Sequence, residues 1–127
     1  FSVKDFGPHK YDKNDDYPDF VLPMARATAL DQTSGIIIAG SGQGEIIAAN
    51  RIKGARAVLY YGGDTDMLKL SREHNNSNIL SLGARFLTEK EAKKAIDVWL
   101  ESPFPGDERH KRRLRKIEEL SRWKMIK

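Results

Sequence analysis

A carboxylate directly follows three glycines at alternate positions in the segment GSGQGE, residues 40–45. Glycines at this spacing allow several backbone N–H groups to converge on an anion, and a helix that begins there adds its positive dipole end. Glu45 then stands beside donors that stabilise an oxyanion. Proton abstraction next to a carbonyl group requires this pairing, because the base removes the proton while the donors stabilise the enediolate oxygen.

The glycine spacing matches neither of the two common nucleotide-binding motifs. The segment lacks the Lys-Ser/Thr end of a Walker motif, and Gly-x-Gly-x-Gly differs from the dinucleotide pattern Gly-x-Gly-x-x-Gly. The glycines alone are also consistent with a tight turn that packs a strand closely against a helix. A carboxylate in the first turn of a helix often only compensates the helix dipole. We interpret Glu45 as a base because it directly follows a loop suited to an oxyanion.

Two further groups of side chains have chemistry suited to proton transfer and to binding a phosphate group. His74 could accept and return a proton near neutral pH, although a lone His at a helix end is often a solvated cap. Arg109 and Arg113 are four residues apart, so they share one helix face, and guanidinium groups bind phosphate as bidentate forks. The alternatives are a solvated basic helix or nucleic-acid contact through residues 109–116. Nucleic acid is disfavoured because acidic residues flank this run and no aromatic platform accompanies it.

The elements that must position these residues alternate between strands and helices. The apolar run GIIIA at 35–39 is typical of a strand buried on both faces, as in a parallel sheet. The patterning predicts strands over 2–6, 35–39, 55–61 and 79–82, and helices over 18–32, 44–52, 64–74, 88–102 and 107–124. The chain is therefore predicted to be an α/β fold with a parallel sheet and right-handed crossovers. Such folds bind ligands beyond the carboxyl ends of the strands.

Composition excludes several classes of protein. The 127 residues suit one domain, and 22 Lys+Arg against 18 Asp+Glu give a net charge of +4. The absence of Cys excludes a disulfide scaffold, a thiolate zinc site and a cysteine nucleophile. No apolar run approaches the length of a membrane span, and no signal-peptide pattern is visible, so a cytoplasmic protein is expected.

Five motifs, in this order along the chain, resemble the ribose-5-phosphate isomerase B family, which includes the galactose-6-phosphate isomerase subunits. They are DYPDF at 16–20, the glycine loop through residue 50, REHNNSN at 72–78, LGAR at 82–85 and RHKRR at 109–113. The resemblance implies a three-layer Rossmann-like parallel sheet with helices on both faces. It also implies that ribose 5-phosphate and ribulose 5-phosphate are interconverted through a cis-enediol, without a metal or an organic cofactor.

The resemblance also implies roles for individual residues. Many family members use a Cys base at the strand end where this chain has Ala39, whereas a second group carries a Glu after the glycine loop, which Glu45 matches. His74 resembles the residue that opens the sugar ring, and Ser41 with the amides of 40–44 would form the oxyanion site. The other implied contacts are with the sugar, through Gly40, Gly42, Gln43, Gly44, Asn75 and Tyr17, and with the phosphate, through Arg85, Arg109 and Arg113.

The family resemblance further implies an oligomer with shared sites. The His-Asn segment comes from the partner chain and the terminal helix extends to the neighbour, so a homodimer or a dimer of dimers is expected. Trp123 and Met125 fit such an interface or an intrachain cap. The family pattern normally begins with a strand ending in Asp-His, so we expect a single domain over 1–127 that is shortened at its start. The alternative function is a non-catalytic sugar-phosphate-binding module or a partner-dependent subunit of a hexose-6-phosphate isomerase.

Overall fold

Three parallel strands form the central sheet of the computed structural model, which describes residues 1–121. They are β1 (Gly35–Ala39), β2 (Ala57–Tyr60) and β3 (Ile79–Gly83), arranged in the order β1-β3-β2. Gly35 and Ala57 both lie opposite Ile79, so the two outer strands begin at the same level of the central one. All five residues of β3 are buried, because this strand has a neighbour on each side and helices on both faces.

Residues 1–121 form five helices, and four of them cover the two faces of the sheet. The five helices are α1 (Pro18–Asp31), α2 (Gln43–Ala49), α3 (Asp66–Asn75), α4 (Glu89–Glu101) and α5 (Glu108–Leu120), with a short 3-10 helix at Ala84–Phe86. Helices α1 and α2 bury one apolar cluster against the sheet, made of Val21, Met24, Ala25, Ile37, Ala49, Ala55 and Ile79. Helices α3 and α4 bury the other, made of Tyr60, Leu68, Leu80, Leu82, Ala95 and Trp99. The predicted three-layer, Rossmann-like α/β fold is therefore confirmed.

Local side-chain bonds set several element ends. Helix α4 begins at a capping box, in which the Glu91 amide donates to Thr88 Oγ1 at 3.1 Å and the Thr88 amide donates to the Glu91 carboxylate at 3.0 Å. These bonds favour the charged carboxylate and lower the pKa of Glu91. Helix α2 ends three residues before the predicted boundary, because the Asn50 side chain bonds both backbone groups of Ala57 instead of facing solvent on a longer helix.

The predicted strand over residues 2–6 is wrong. Val3 is 85% exposed, and no strand within the described part of the chain pairs with this segment. The Asp5 carboxylate accepts the Gly7 amide at 2.8 Å, which makes a local turn, and the weak alternation of these residues gives no apolar face to bury. Residues 1–121 therefore contribute three strands to the sheet and not the four that the sequence patterning predicted.

The last helix packs against another helix of the same chain. Helix α5 lies against α3, and no helix within residues 1–121 is long and apolar enough to cross a membrane. Its extension to a partner subunit stays a prediction, as does the cytoplasmic location. Trp123 and Met125, expected at an interface or an intrachain cap, lie outside the described residues.

Candidate active site

The glycine loop turns between the carboxyl end of β1 and the start of α2. Gly42 has a φ of +74°, and a Cβ there would lie 2.7 Å from Ser81 Oγ and 2.8 Å from a methyl group of Leu59. Only glycine fits both the backbone angle and the space. The Ser81 hydroxyl also donates to the Gly42 carbonyl at 3.0 Å, and this buried bond fixes the loop on the central strand.

Tyr17 and Arg85 flank this loop. The Tyr17 hydroxyl lies so close to Gly44 that a Cβ at that position would overlap it, and the Tyr17 side chain remains partly exposed. The Arg85 amide donates to the Gly40 carbonyl at 3.1 Å, and a Cβ on Gly40 would lie 3.0 Å from the Arg85 guanidinium carbon. The fold thus brings residues from two other motifs to the loop.

Glu45 is buried beside this loop, with 8% of its surface exposed. Its Oε2 is the one buried side-chain oxygen or nitrogen atom within residues 1–121 that has no hydrogen-bond partner. Leaving a buried polar atom unpaired costs about 1–3 kcal/mol, and proteins keep such groups mainly where they have a role. The Glu45 carboxylate therefore has one buried oxygen, at the carboxyl end of the sheet, whose hydrogen bond no described residue supplies.

The same loop also carries hydrogen-bond donors. The Gln43 amide donates to Ser41 Oγ at 3.3 Å, which orients the hydroxyl within the loop. The amides of Ser41 and Gly44 donate to no acceptor among the described residues. We call the loop at 40–45, with Tyr17 and Arg85, the carboxyl-end half-site.

The remaining predicted site residues lie at the opposite edge of the sheet. Helix α3 returns the chain from the carboxyl end of β2 to the amino end of β3, so its last two residues, His74 and Asn75, lie beside the amino ends of the strands. The His74 ring stacks on His110 of α5, with centroids 4.3 Å apart and ring planes at 16°. Arg109 and Arg113 are exposed on the same helix. We call these five residues the amino-end half-site.

A network of polar bonds holds the backbone of the amino-end half-site. The Arg72 guanidinium donates to the Ser102 carbonyl at 3.0 Å, to the Asn76 side chain at 3.0 Å and to the Ser77 carbonyl. Partial burial, with the nearby charge of Arg56, lowers the pKa of Arg72. These bonds tie the end of α3 to the end of α4.

A second set of bonds lies beneath this network, in the core. The Trp99 indole donates to Ser77 Oγ at 2.8 Å, and Ser77 Oγ lies 3.0 Å from Ser71 Oγ. All three side chains are buried, so the segment that follows His74 is anchored to α4 at its base.

Within one chain, the structure divides the predicted site residues into two groups. Glu45, Ser41, Arg85 and Tyr17 come together at one edge, whereas His74 lies at the other with Asn75, Arg109 and Arg113. Sequence reasoning missed His110 as a contact of His74, although His110 stands within the RHKRR motif. The available signal was the position of His110 directly after Arg109. One residue along a helix corresponds to a turn of about 100°, so the His110 side chain lies on a different face from that of Arg109. Among residues 1–121, no three His, Asp or Glu side chains are grouped to hold a metal ion.

A buried carboxylate beside free amide donors, together with a cationic helix face, defines an α/β protein that can bind an anion and move a proton. Residues 1–117 match the family described as Ribose/Galactose Isomerase, and the chain belongs to that family. The resemblance drawn from the five motifs is therefore confirmed.

Individual relatives agree with this assignment. The chain is 43% identical over 119 residues to the probable ribose-5-phosphate isomerase B of Mycoplasma genitalium, a match that covers 92% of this chain and 76% of that protein. It is 40% identical to ribose-5-phosphate isomerase B of Mycobacterium tuberculosis, covering 93% of this chain and 72% of that protein. The chain thus spans about three quarters of the length of these relatives.

Solved structures agree as well. The crystal structure of ribose-5-phosphate isomerase B from Mycoplasma genitalium with bound ribulose-5-phosphate superposes with a TM-score of 0.86 at 40% identity, covering 94% of this chain and 78% of that one. The Clostridium thermocellum ribose-5-phosphate isomerase B gives a TM-score of 0.86 at 41% identity, covering 94% and 79%.

Proposed function

We propose that this protein is an aldose–ketose isomerase that interconverts ribose 5-phosphate and ribulose 5-phosphate through a cis-enediol, with Glu45 as the base. The observation that carries the proposal is the buried, unpartnered oxygen of Glu45 beside the free amides of the loop. Two comparisons support it: the relatives named above carry the name of this enzyme, and the similar Mycoplasma genitalium structure holds ribulose-5-phosphate.

The proton transfer follows from the carboxyl-end half-site. The Glu45 carboxylate removes the proton from C2 of the open-chain aldose, and the electron pair moves into the C1 carbonyl, so that negative charge develops on O1. Ser41 and the loop amides donate hydrogen bonds to this oxygen. Glu45 then returns the proton to C1, and the proton of O2 is transferred in net to O1, so that the C2 carbonyl forms and O1 becomes a hydroxyl group.

The cyclic form of ribose 5-phosphate must open before this transfer. The C1 hydroxyl loses a proton, the bond between C1 and the ring oxygen breaks, and the ring oxygen gains a proton. His74 is proposed to carry these protons, because a neutral imidazole both accepts and donates near neutral pH. Asn75, Gln43 and Tyr17 are proposed to bind the sugar hydroxyl groups.

The phosphate group is proposed to bind to guanidinium groups. Arg109 and Arg113 lie on one face of α5, and both are exposed to a ligand. Arg85 adds a third cation at the glycine loop. The reaction needs none of these groups to change charge, so their role is to bind and orient the substrate.

The separation of the half-sites supports a site that is shared between two copies of the chain. A five-residue strand is about 16 Å long, which exceeds the span of a five-carbon sugar phosphate. Residues at opposite edges of one sheet therefore cannot act on the same molecule. We infer a homodimer, alone or within a dimer of dimers, in which His74, Arg109 and Arg113 of one protomer complete the carboxyl-end half-site of the other.

The proposal is tested by the variant Glu45→Gln, assayed for conversion of ribose 5-phosphate and for binding of ribulose 5-phosphate. We expect kcat to fall by about 10²- to 10⁴-fold, as for loss of a general base, while ribulose 5-phosphate still binds. Glu101→Gln is the matched control, since Glu101 is exposed at the end of α4. A Glu45→Gln protein as active as the control, or a parent protein that binds the sugar phosphate without turning it over, would contradict the proposal.

A further inference from the structure

His110 is the one buried residue of α5. Its side chain is 5% exposed, although its neighbours in sequence, Arg109 and Lys111, are both exposed. The ring lies nearly parallel to the His74 ring, with centroids 4.3 Å apart and planes at 16°. Helices α3 and α5 are thus in contact through the faces of two imidazole rings.

The surroundings of His110 favour its neutral form. Burial lowers its pKa, as do the charges of His74 on α3 and of Arg109 and Arg113 on α5, while Asp107 opposes them. A neutral imidazole is a flat, uncharged ring, which can pack face to face without adding a charge beside the phosphate-binding arginines.

The His74 ring needs a contact that fixes its orientation. It is the next-to-last residue of α3 and is exposed, so its side chain has several staggered rotamers open to it. Arg72 and Trp99 hold the backbone nearby, but their bonds do not touch the His74 ring. Acid–base catalysis requires the reacting nitrogen to be held in place, and small misplacements cost large factors in rate.

We propose that His110 is a positioning residue, whose buried ring stacks on His74 and fixes the plane of that imidazole for opening of the cyclic sugar. This inference rests on the proposed role of His74. Face-to-face stacking covers one face of the His74 ring and leaves the ring edge, where both nitrogens lie, open to a substrate. His110 itself touches no reacting atom.

This role predicts that His110 affects the opening of the sugar ring and not the proton transfer between C2 and C1. Ribulose 5-phosphate cannot close into a furanose ring, because its C5 oxygen carries the phosphate group. Exchange of its C1 hydrogen with solvent deuterium therefore needs the Glu45 step alone. Conversion of cyclic ribose 5-phosphate needs ring opening as well, and so depends on a positioned His74.

The test compares His110→Ala with His110→Phe, which restores a flat ring of similar size. For His110→Ala we expect conversion of ribose 5-phosphate to fall by about 10- to 100-fold, with deuterium exchange into ribulose 5-phosphate close to the parent rate. His110→Phe should recover most of the conversion. Equal losses in both assays, or no loss of conversion in His110→Ala, would overturn the proposal.

Nuclear magnetic resonance of the His74 ring provides a readout that needs no activity. In the parent protein, the His74 ring protons should be shifted by the stacked ring, and this shift should vanish in His110→Ala and persist in His110→Phe. A His74 spectrum unchanged in His110→Ala would contradict the proposal even if conversion fell. A parent protein that shows the stacking shift but no isomerisation would refute the proposed function and leave the contact established.

Discussion

The two half-sites are built from different parts of the chain. At the carboxyl end of the sheet, the site is mainly backbone: a glycine loop, free amides, and a carboxylate that is 8% exposed. At the amino end, it consists of long or ring-shaped side chains on two helix surfaces, most of them exposed. The first has its polar atoms fixed before a ligand arrives, whereas the second relies on Arg72, Trp99 and His110 to hold it.

This difference corresponds to the two tasks of the proposed reaction. A proton on carbon is moved only when the base and the oxyanion donors are already in place, and a buried loop supplies that order. A phosphate group is bound by charge, which exposed guanidinium groups supply. The proposed base and oxyanion donors therefore lie at one edge of the sheet, and the proposed ring-opening histidine lies at the other edge with two of the three proposed phosphate-binding arginines.

The phosphate-binding role of the amino-end half-site predicts a binding defect. Arg109→Ala and Arg113→Ala should each raise the KM for ribose 5-phosphate by about 10- to 100-fold, since a charge-assisted hydrogen bond contributes about 1.5–3 kcal/mol. Steady-state kinetics measures this. Arg115→Ala is the control, because Arg115 is exposed on a different face of α5. If all three variants had the same KM, the phosphate would bind elsewhere.

The support beneath the amino-end half-site predicts a loss of stability. Trp99→Phe removes the indole donor to Ser77 Oγ, which keeps its contact with Ser71, so the free energy of unfolding should fall by about 1–3 kcal/mol. Urea unfolding measures this change. Lys94→Ala, on the exposed side of α4, should change it by no more than about 0.5 kcal/mol. An unfolding midpoint for Trp99→Phe equal to that of the control would show that the bond contributes nothing.

The stacked histidines predict a small dependence of stability on pH. His110 has a folded-state pKa below its ordinary value of 6.5, so between these two values the unfolded chain binds more protons. The free energy of unfolding should therefore fall as pH falls below 6.5, and His110→Phe should flatten this slope. Lys94→Ala, which leaves every histidine in place, is the control. A slope unchanged in His110→Phe would mean that other groups cause it.

Local patterns in the sequence predicted most of the elements but not their contacts. The apolar run of β1, the start of a helix at Thr88 and the turn at the glycine loop are encoded within a few residues, and the structure has all three. The strand at residues 2–6 failed because alternation alone forms no strand where no neighbour pairs with it. The stacking of His74 on His110 joins residues far apart in sequence, and such a contact depends on how α3 and α5 pack.

The same limit applies to the candidate site. The chemistry of Glu45, His74 and the arginines could be predicted from residue type and from the family resemblance. Periodicity and spacing carried no information on the buried, unpartnered oxygen of Glu45, because that burial arises only when α2 packs on the sheet. The division of these residues between two edges of the sheet likewise follows from the direction in which α3 returns the chain.

Mixing two inactive variants tests the shared site most directly. Glu45→Gln and His74→Gln each leave every site of a homodimer without one essential residue. When equal amounts are unfolded and refolded together, half of the dimers should be mixed, and each mixed dimer has one site with both native residues. We predict recovery of about one quarter of the parent activity on ribose 5-phosphate. No recovery above the sum of the two variants, in a mixture shown to contain mixed dimers, would contradict a site completed by the partner subunit.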